Sequence, residues 1–284
     1  MNSKIRDYIN KGQHRTLEAL CSNIYSFSNK IGLMKHLISF YSHKIPKMVI
    51  REQNETSELE LSGKISLELS FNRYCIGYTR FDKDYPCPDE AVADSGKCPH
   101  CRKLEISCAS CRGDECLFGH SECLLGEHLI YLASFGELVK VGVTKKERIN
   151  ERWIEQGADF GVVVASAGDG FEARAVESLI QHQFGFRNAV RTSEKFKRLG
   201  IGKEISKKSL ELAIGRITQM KFPGIEVGEV RDLSMHYPKL EEKPVLDNLL
   251  SGEVLGAKGN LLFLEREGPK VIDMKKNVGK YITR

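Results

Sequence analysis

Eight of the nine cysteines fall within 49 residues: Cys75, Cys87, Cys98, Cys101, Cys108, Cys111, Cys116 and Cys123. Two pairs have C-x-x-C spacing, C-P-H-C at 98–101 and C-A-S-C at 108–111. A two-residue gap lets both thiolates face one ion from a tight turn, and four thiolates at about 2.3 Å complete a tetrahedron. Eight cysteines therefore suit two closed, structural zinc sites. A sequential pairing assigns Cys75, Cys87, Cys98 and Cys101 to one ion and Cys108, Cys111, Cys116 and Cys123 to the other; an interleaved pairing meets the same count. A disulfide cluster would need an oxidising compartment. The segment MNSKIRDYINKGQHR has none of the apolar stretch of a secretory signal, so metal and a cytoplasmic location are expected. His100 and His120 are the side chains that could replace a thiolate, and Cys21, alone in an apolar pattern, reads as a small core residue. Between 71 and 127 there are turns and few large apolar side chains, which leaves the metal to supply the folding free energy.

The rest of the 284 residues has ordinary composition, 41% hydrophobic and 29% charged, and no apolar run nears the roughly 20 residues that span a bilayer. No membrane partner is expected. Net charge is only +5, but it is unevenly spread. Between Arg187 and Lys221 ten Lys or Arg face three Glu, an excess of +7. Such a cluster is either a solvated helix face or the footprint of a phosphate-backbone contact.

Residues 1–45 carry apolar residues at spacings of three and four (Ile5, Tyr8, Ile9; Leu17, Leu20, Ile24; Ile31, Met34, Leu37, Ile38), which predicts amphipathic helices. E-L-E-L-S-G-K-I-S-L-E-L-S-F (58–71) alternates around Ser62-Gly63 and predicts one or two strands. HLIYLASF (128–135) and ELVKVGVT (137–144) predict two strands joined at Gly136. T-K-K-E from Thr144 has the form of a capping box before a helix over 145–156 that ends at Gly157. GVVVASAG (161–168) is a nearly apolar, central strand, and a helix over 172–184 follows. EVLGAKGNLLFLE and KVIDMK form a small β unit expected to pair with the strands at 58–70. The boundaries are thus 1–57 (helical), 58–127 (strands and cysteine-rich zinc module), 128–200 (a β-β-α-β-α domain) and 201–284 (basic helix and terminal β unit). The class is α+β.

Alternation places Leu129 and Tyr131 on one face of the first strand, with Lys140 and Gly142 on the corresponding face of the second and Val139, Val141 and Val143 turned to a core. Arg148 and Arg152 lie one turn apart on the helix, whose buried side is Ile149 and Trp153. Tyrosine, paired guanidinium groups and one carboxylate, Glu177, are suited to a phosphodiester, whose chemistry needs positioned cations more than covalent groups.

The runs I-Y-L-A (130–133), K-V-G-V-T (140–144), E-R-W-I-E-Q-G-A (151–158) and A-x-x-x-E (173–177) resemble the GIY-YIG endonuclease superfamily. Within it, the likeness is to an uncharacterised domain family in which a cysteine-rich zinc segment precedes KVGxT and RW-acidic-QGA motifs. It covers roughly 58–200, and G-x-x-x-G-x-K-G-x-x-L (252–262) is similar to that family too. The resemblance implies a small three-stranded GIY-YIG-like domain in which Tyr131 acts on the nucleophilic water. It further implies that Arg152, or Arg148 one turn earlier, holds the scissile phosphate and that Glu177 binds Mg²⁺. Lys140 stands where the second motif tyrosine is expected; it can stabilise phosphate charge but does not replace a phenol's hydrogen bonds. The expected function is therefore nucleic-acid binding, to RNA or DNA, as in RNA maturation. The alternatives are an active Mg²⁺-dependent endonuclease and a zinc-stapled protein-interaction module without nucleic acid.

Overall fold

The computed structural model describes residues 34–42, 44–80, 83–106, 126–219 and 224–283. Strand outweighs helix in a mixed α+β chain. Before the cysteine-rich segment come β1 (Lys35–Tyr41), β2 (Lys47–Glu52), β3 (Glu55–Glu60) and β4 (Lys64–Leu67). A short hairpin, β5 (Tyr78–Arg80) and β6 (Lys83–Tyr85), and the helix α1 (Pro99–Leu104) carry the first cysteines. The middle of the chain is β7 (His128–Phe135), β8 (Leu138–Lys145), α2 (Ile149–Gln156), β9 (Phe160–Ala167), α3 (Gly170–Phe184), α4 (Thr192–Lys197) and α5 (Lys203–Gln219), with a short edge strand β10 (Arg231–Asp232). The remainder is β11 (Val245–Asp247), β12 (Leu250–Lys258), β13 (Leu261–Glu265), β14 (Pro269–Asp273), α6 (Met274–Asn277) and β15 (Tyr281–Ile282).

The middle sheet runs β10-β9-β7-β8, antiparallel throughout. Its central strand, β7, is buried along its whole length, which its apolar run requires. One face (Ile130, Leu132, Val141, Val162, Val164) packs on Ala173, Ile180 and Phe184 of α3 and on Leu210, Ala213 and Ile217 of α5. The other (Leu129, Tyr131, Ala133, Phe135) is covered by Ile149 and Trp153 of α2. The alternation read from 128–144 is thus the sheet's own two-sidedness.

The strands on either side of this middle region build a second β body. Sheets ordered β15-β1-β2-β3 and β11-β14-β13-β12-β4 share one core containing Leu37, Met48, Ile50, Leu250, Leu262 and Ile272. Strand β12 pairs with β4, Leu250 opposite Leu67, and Leu69 bridges to Ile282. The strands after residue 245 do join the residues around 64–69, as expected.

Two expectations change. The spacing of Met34, Leu37 and Ile38 predicts helix, but residues 35–41 are strand, and 47–52 and 55–60 are also strands within the region 1–57 expected to be helical. The i, i+3, i+4 pattern there is short enough to fit either period, and pairing with β2 and β15 decides it. The helices expected N-terminal to residue 34, and Cys21 with them, lie outside the described residues. Residues 58–71 give two strands, as expected from the break at Ser62-Gly63, and β3 and β4 belong to different sheets. Finally, Thr144 lies within β8 and caps nothing. A 3-10 turn at Lys146–Arg148 intervenes, and neither it nor α2 has a side-chain cap. The helix does end at Gly157 in the left-handed conformation, φ 71°.

Gly142 sits directly across from Tyr131 in the ladder, and the ring lies over it. A Cβ at 142 would fall 2.5 Å from the Tyr131 ring and hydroxyl. Gly142→Ala is expected to destabilise the protein by about 1–3 kcal/mol in chemical unfolding, as overpacking does. Gly215→Ala, in the open interior of α5 where a Cβ meets nothing, should instead stabilise by about 0.5–1 kcal/mol. Equal effects at the two positions would contradict the packing described.

Candidate functional site

Two groups of side chains stand out. The first is the cysteine quartet. Cys75 follows β4, Cys87 follows β6, and Cys98 and Cys101 bracket the first turn of α1. All four are buried, none is in a disulfide, and their sulfurs lie within 4.8 Å of one another. Tetrahedral thiolates at about 2.3 Å from an ion would be about 3.8 Å apart; Cys87 Sγ and Cys98 Sγ are 3.9 Å apart. Backbone amides already point at the sulfurs: Gly77 N and Cys98 N donate to Cys75 Sγ (3.4 and 3.2 Å), and Cys101 N donates to Cys98 Sγ (3.4 Å). Burial opposes ionisation of Cys98, but the Cys101 amide and the neighbouring thiols outweigh it and bring the pKa to about 7. Burial pushes Cys75 and Cys101 up. Four such thiols can bind a metal ion such as zinc, whose charge offsets the desolvation that otherwise keeps them protonated.

The sequential grouping of Cys75, Cys87, Cys98 and Cys101 is the one brought together. Cys108, Cys111, Cys116 and Cys123 lie outside the described residues, as does His120. His100 turns away to Asp89 (Nδ1 to Oδ2, 2.7 Å). The module is fastened to the β body: Tyr74 N donates to Gly279 O (2.5 Å), and Arg51 Nη1 to Ile76 O (2.8 Å).

The second group lies where β7, β8, α2, α3 and α4 meet. Tyr131, 1% exposed, accepts a hydrogen bond at Oη from Gln156 Nε2 (2.8 Å), and its ring meets Trp153 edge-on. Burial raises its pKa. Lys140, 7% exposed, holds its ammonium 5.8 Å from the Tyr131 ring centroid and forms no ion pair among the described residues. Burial, then the Arg152 charge, lowers its pKa to about 8, with Glu177 opposing. Glu177 is 3.7 Å from Arg174, and burial raises its pKa against the nearby cations Arg174, Lys140 and Arg152.

Arg152 is felt by Tyr131, Lys140 and Glu177 alike, while its guanidinium also reaches Glu155 at 3.4 Å. Arg148 is not among those influences; it pairs with Glu155 (3.0 Å) and Glu151 (3.7 Å). Of the two arginines, the geometry gathers Arg152 with the others and leaves Arg148 outside.

Two further members carry no signal of their own in the sequence. Lys195 of α4 donates to Gln156 O (2.6 Å) and lies over the Phe135 ring. Burial, with Lys140, Lys275, Arg152 and Lys258 adding to it, lowers its pKa to about 7. In sequence it is one cation of the basic tract, whose other members are partly neutralised, as in Arg187–Glu194 and Arg198–Glu137. Gln156 joins both halves of the cluster through its amide and its carbonyl, and its Oε1 is buried with no hydrogen-bond partner among the described residues.

Behind the cluster, Asp159 accepts from Gly136 N and Ser206 Oγ (2.7 Å each) and pairs with Lys258 of β12. A Cβ on Gly157 would meet Gly259 N at 2.8 Å, so the end of α2 and the β12–β13 turn touch backbone to backbone. The Q-G-A-D and K-G segments are thus one structural joint, and the family model of a "Protein of unknown function (DUF2797)" spans both, matching residues 63–282. The chain belongs to this family. The DUF2797 match takes in the cysteine quartet, the middle sheet and the C-terminal strands, and begins after β3. No curated protein and no solved structure matches the chain. Among the described residues, no helix is long and apolar enough to cross a membrane.

Cys98→Ser is expected to lower the metal content by one equivalent per chain relative to wild type, by elemental analysis, and to loosen the 73–106 segment in hydrogen exchange. Unchanged metal content would contradict the quartet's role. Lys140 gives a second test. Its folded pKa lies below the ordinary 10.5, so the burden of its buried charge on folding is full below about 8 and fades as pH rises toward 10.5. Lys140→Met should therefore stabilise the free protein at neutral pH by on the order of 2 kcal/mol, a gain that shrinks in alkaline solution. A destabilised, pH-indifferent variant would refute this.

Proposed function

We propose that this DUF2797 protein binds the phosphate backbone of nucleic acid, RNA or DNA, at Arg152, Lys140 and Lys195, and that its cysteines carry structural zinc. One observation carries the reading. Lys140 and Lys195 are desolvated beside Arg152, neither forms an ion pair among the described residues, and the Glu177 charge offsets only part of the burden on Lys140. Buried charge without a counter-ion is costly and concentrates at functional sites. An anion supplied from outside would relieve it. Arg152, the exposed member, makes first contact, and the two lysines lie beneath.

The GIY-YIG likeness is consistent with the strand order β8-β7-β9, all antiparallel, with a helix after β8 and another after β9. The same likeness would give Tyr131 the nucleophile-activating role and Glu177 a Mg²⁺. Cleavage is the second reading, favoured by the nearness of Tyr131, Arg152 and Glu177. Against it, Tyr131 is buried and tied to Gln156, Lys140 replaces the second tyrosine, and no set of three metal-ligating side chains gathers on Glu177 among the described residues. Binding is the better-supported activity. The zinc serves as a rigid support; the second quartet, Cys108 to Cys123, is proposed to hold a second ion.

A salt titration of binding to transfer RNA and to duplex DNA tests this. On duplex the logarithm of affinity should fall against log salt with a slope near −0.9 per phosphate contact. Arg152→Glu should weaken binding and flatten the slope. Affinity should be highest below pH 7 and decline through pH 7 to 8, as Lys195 and then Lys140 lose their protons. With Mg²⁺ or Mn²⁺ the substrate should stay intact; cleavage lost in Tyr131→Phe and Glu177→Ala would establish the endonuclease instead. No binding at low salt would overturn both and leave an interaction module.

A further inference from the structure

A second concentration of positive charge lies between the cysteine module and the β body. A cleft of about 410 Å³ is lined by Arg73, Lys97, Arg102 and Lys275, with Asn260 and Ile76 among its other walls and no carboxylate in its lining among the described residues. Arg73 spends its donors on backbone carbonyls, Val278 O at 2.8 Å, Lys275 O at 3.4 Å, and Asp94 O, which hold the guanidinium in place without neutralising it. Arg102, exposed, donates to Ser95 Oγ. Of the four, only Lys97 has an acidic partner among the described residues, Glu105 at 2.5 Å. Lys275 is exposed and forms no ion pair there.

The cleft lies within electrostatic reach of the tyrosine cluster. Lys275, on the cleft wall, is one of the charges that depress Lys195, together with Lys140 and Arg152. Asn260 lies on the β12–β13 turn, next to the Gly259 that abuts Gly157 at the end of α2. One joint therefore separates the two sites and holds both.

We infer that the cleft is a second phosphate subsite, and that a single strand of nucleic acid runs from Arg152 past Lys275 to Arg102 at the cysteine module. The inference rests on the phosphate-binding reading above and extends it. A single strand is indicated because apolar Ile38 and Ile76 line the cleft among the cations, a combination suited to an unstacked base beside its phosphate, whereas a duplex keeps its base faces stacked inside and offers only phosphates and base edges. The cysteine module then does more than brace the fold, since α1 and the turn before it present Lys97 and Arg102 to the strand.

The test uses the whole metal-loaded chain and single-stranded oligonucleotides, RNA and DNA, from a dinucleotide to lengths that reach both sites. Wild type should bind long strands much more tightly than the dinucleotide. In Arg102→Glu/Lys275→Glu this length advantage should collapse, long-strand affinity should fall about tenfold or more at low salt, and the salt slope should flatten by about 1.4, or 0.7 for each lost contact. The neutral pair Arg102→Gln/Lys275→Gln should show a smaller loss of the same sign, with unchanged metal content and thermal midpoint marking an intact fold. If both pairs retain the wild-type slope and length dependence while Arg152→Glu weakens binding, the second subsite is refuted and the first stands. If wild type binds no strand at low salt, both are refuted.

Discussion

The largely enclosed carboxylate of Asp159 ties together elements that are distant in sequence. It takes hydrogen bonds from the β7–β8 turn at Gly136 and from Ser206 of α5, and it meets the ammonium of Lys258 on β12. Its backbone joins in, donating to Ser134 O and accepting from Leu233 N. A carboxylate held this far from water is expensive unless every oxygen is satisfied, and here both are. Next to it, Gly157 and Gly259 allow the end of α2 to lie against the β12–β13 turn. This joint sets where α2 stops, and hence where Gln156 and Arg152 stand relative to the sheet.

From that placement the cluster follows. Trp153 and Ile149 press α2 onto the face carrying Tyr131, and Gly142 and Gly161 leave room for the two aromatic rings. Gln156 then reaches the phenol with its amide and offers its carbonyl to Lys195. Lys140 is held in the sheet, its strand pairing with β7 on one side and bridging to Arg187 on the other, and its side chain is buried. Packing, in other words, forces like charges together. Hydrophobic burial elsewhere in the two-sided sheet stabilises an arrangement that is locally unfavourable.

Much of this is legible in residue patterns, and the misses have physical causes. The cysteine quartet is readable because metal ligation imposes spacing, and the faces of β7 and β8 because alternation of period two persists over eight residues. The interior position of β9, between β7 and the short edge strand β10, shows in its apolar run. By contrast, β1 looks helical because a seven-residue strand supplies too few turns of either period to tell them apart; its partners decide, and they lie at β2 and near the C-terminus. Lys195 is one cation among ten until α4 places it over Phe135. Asp159 and Lys258 are separated by 99 positions, and nothing local to either announces the other. Helical spacing likewise leaves Arg148 and Arg152 equivalent, and it is the shorter pairing with Glu155 and the contact with Glu151 that draw Arg148 aside.

The central claim, that packing confines a surplus of positive charge awaiting a phosphate, is tested most directly by following the Lys140 side chain by NMR across a pH titration, with and without an oligonucleotide. The expected result is a pKa near 8 in the free protein and a clear rise when the phosphodiester is bound. An ordinary lysine value near 10.5 in the free protein, indifferent to the oligonucleotide, would contradict it.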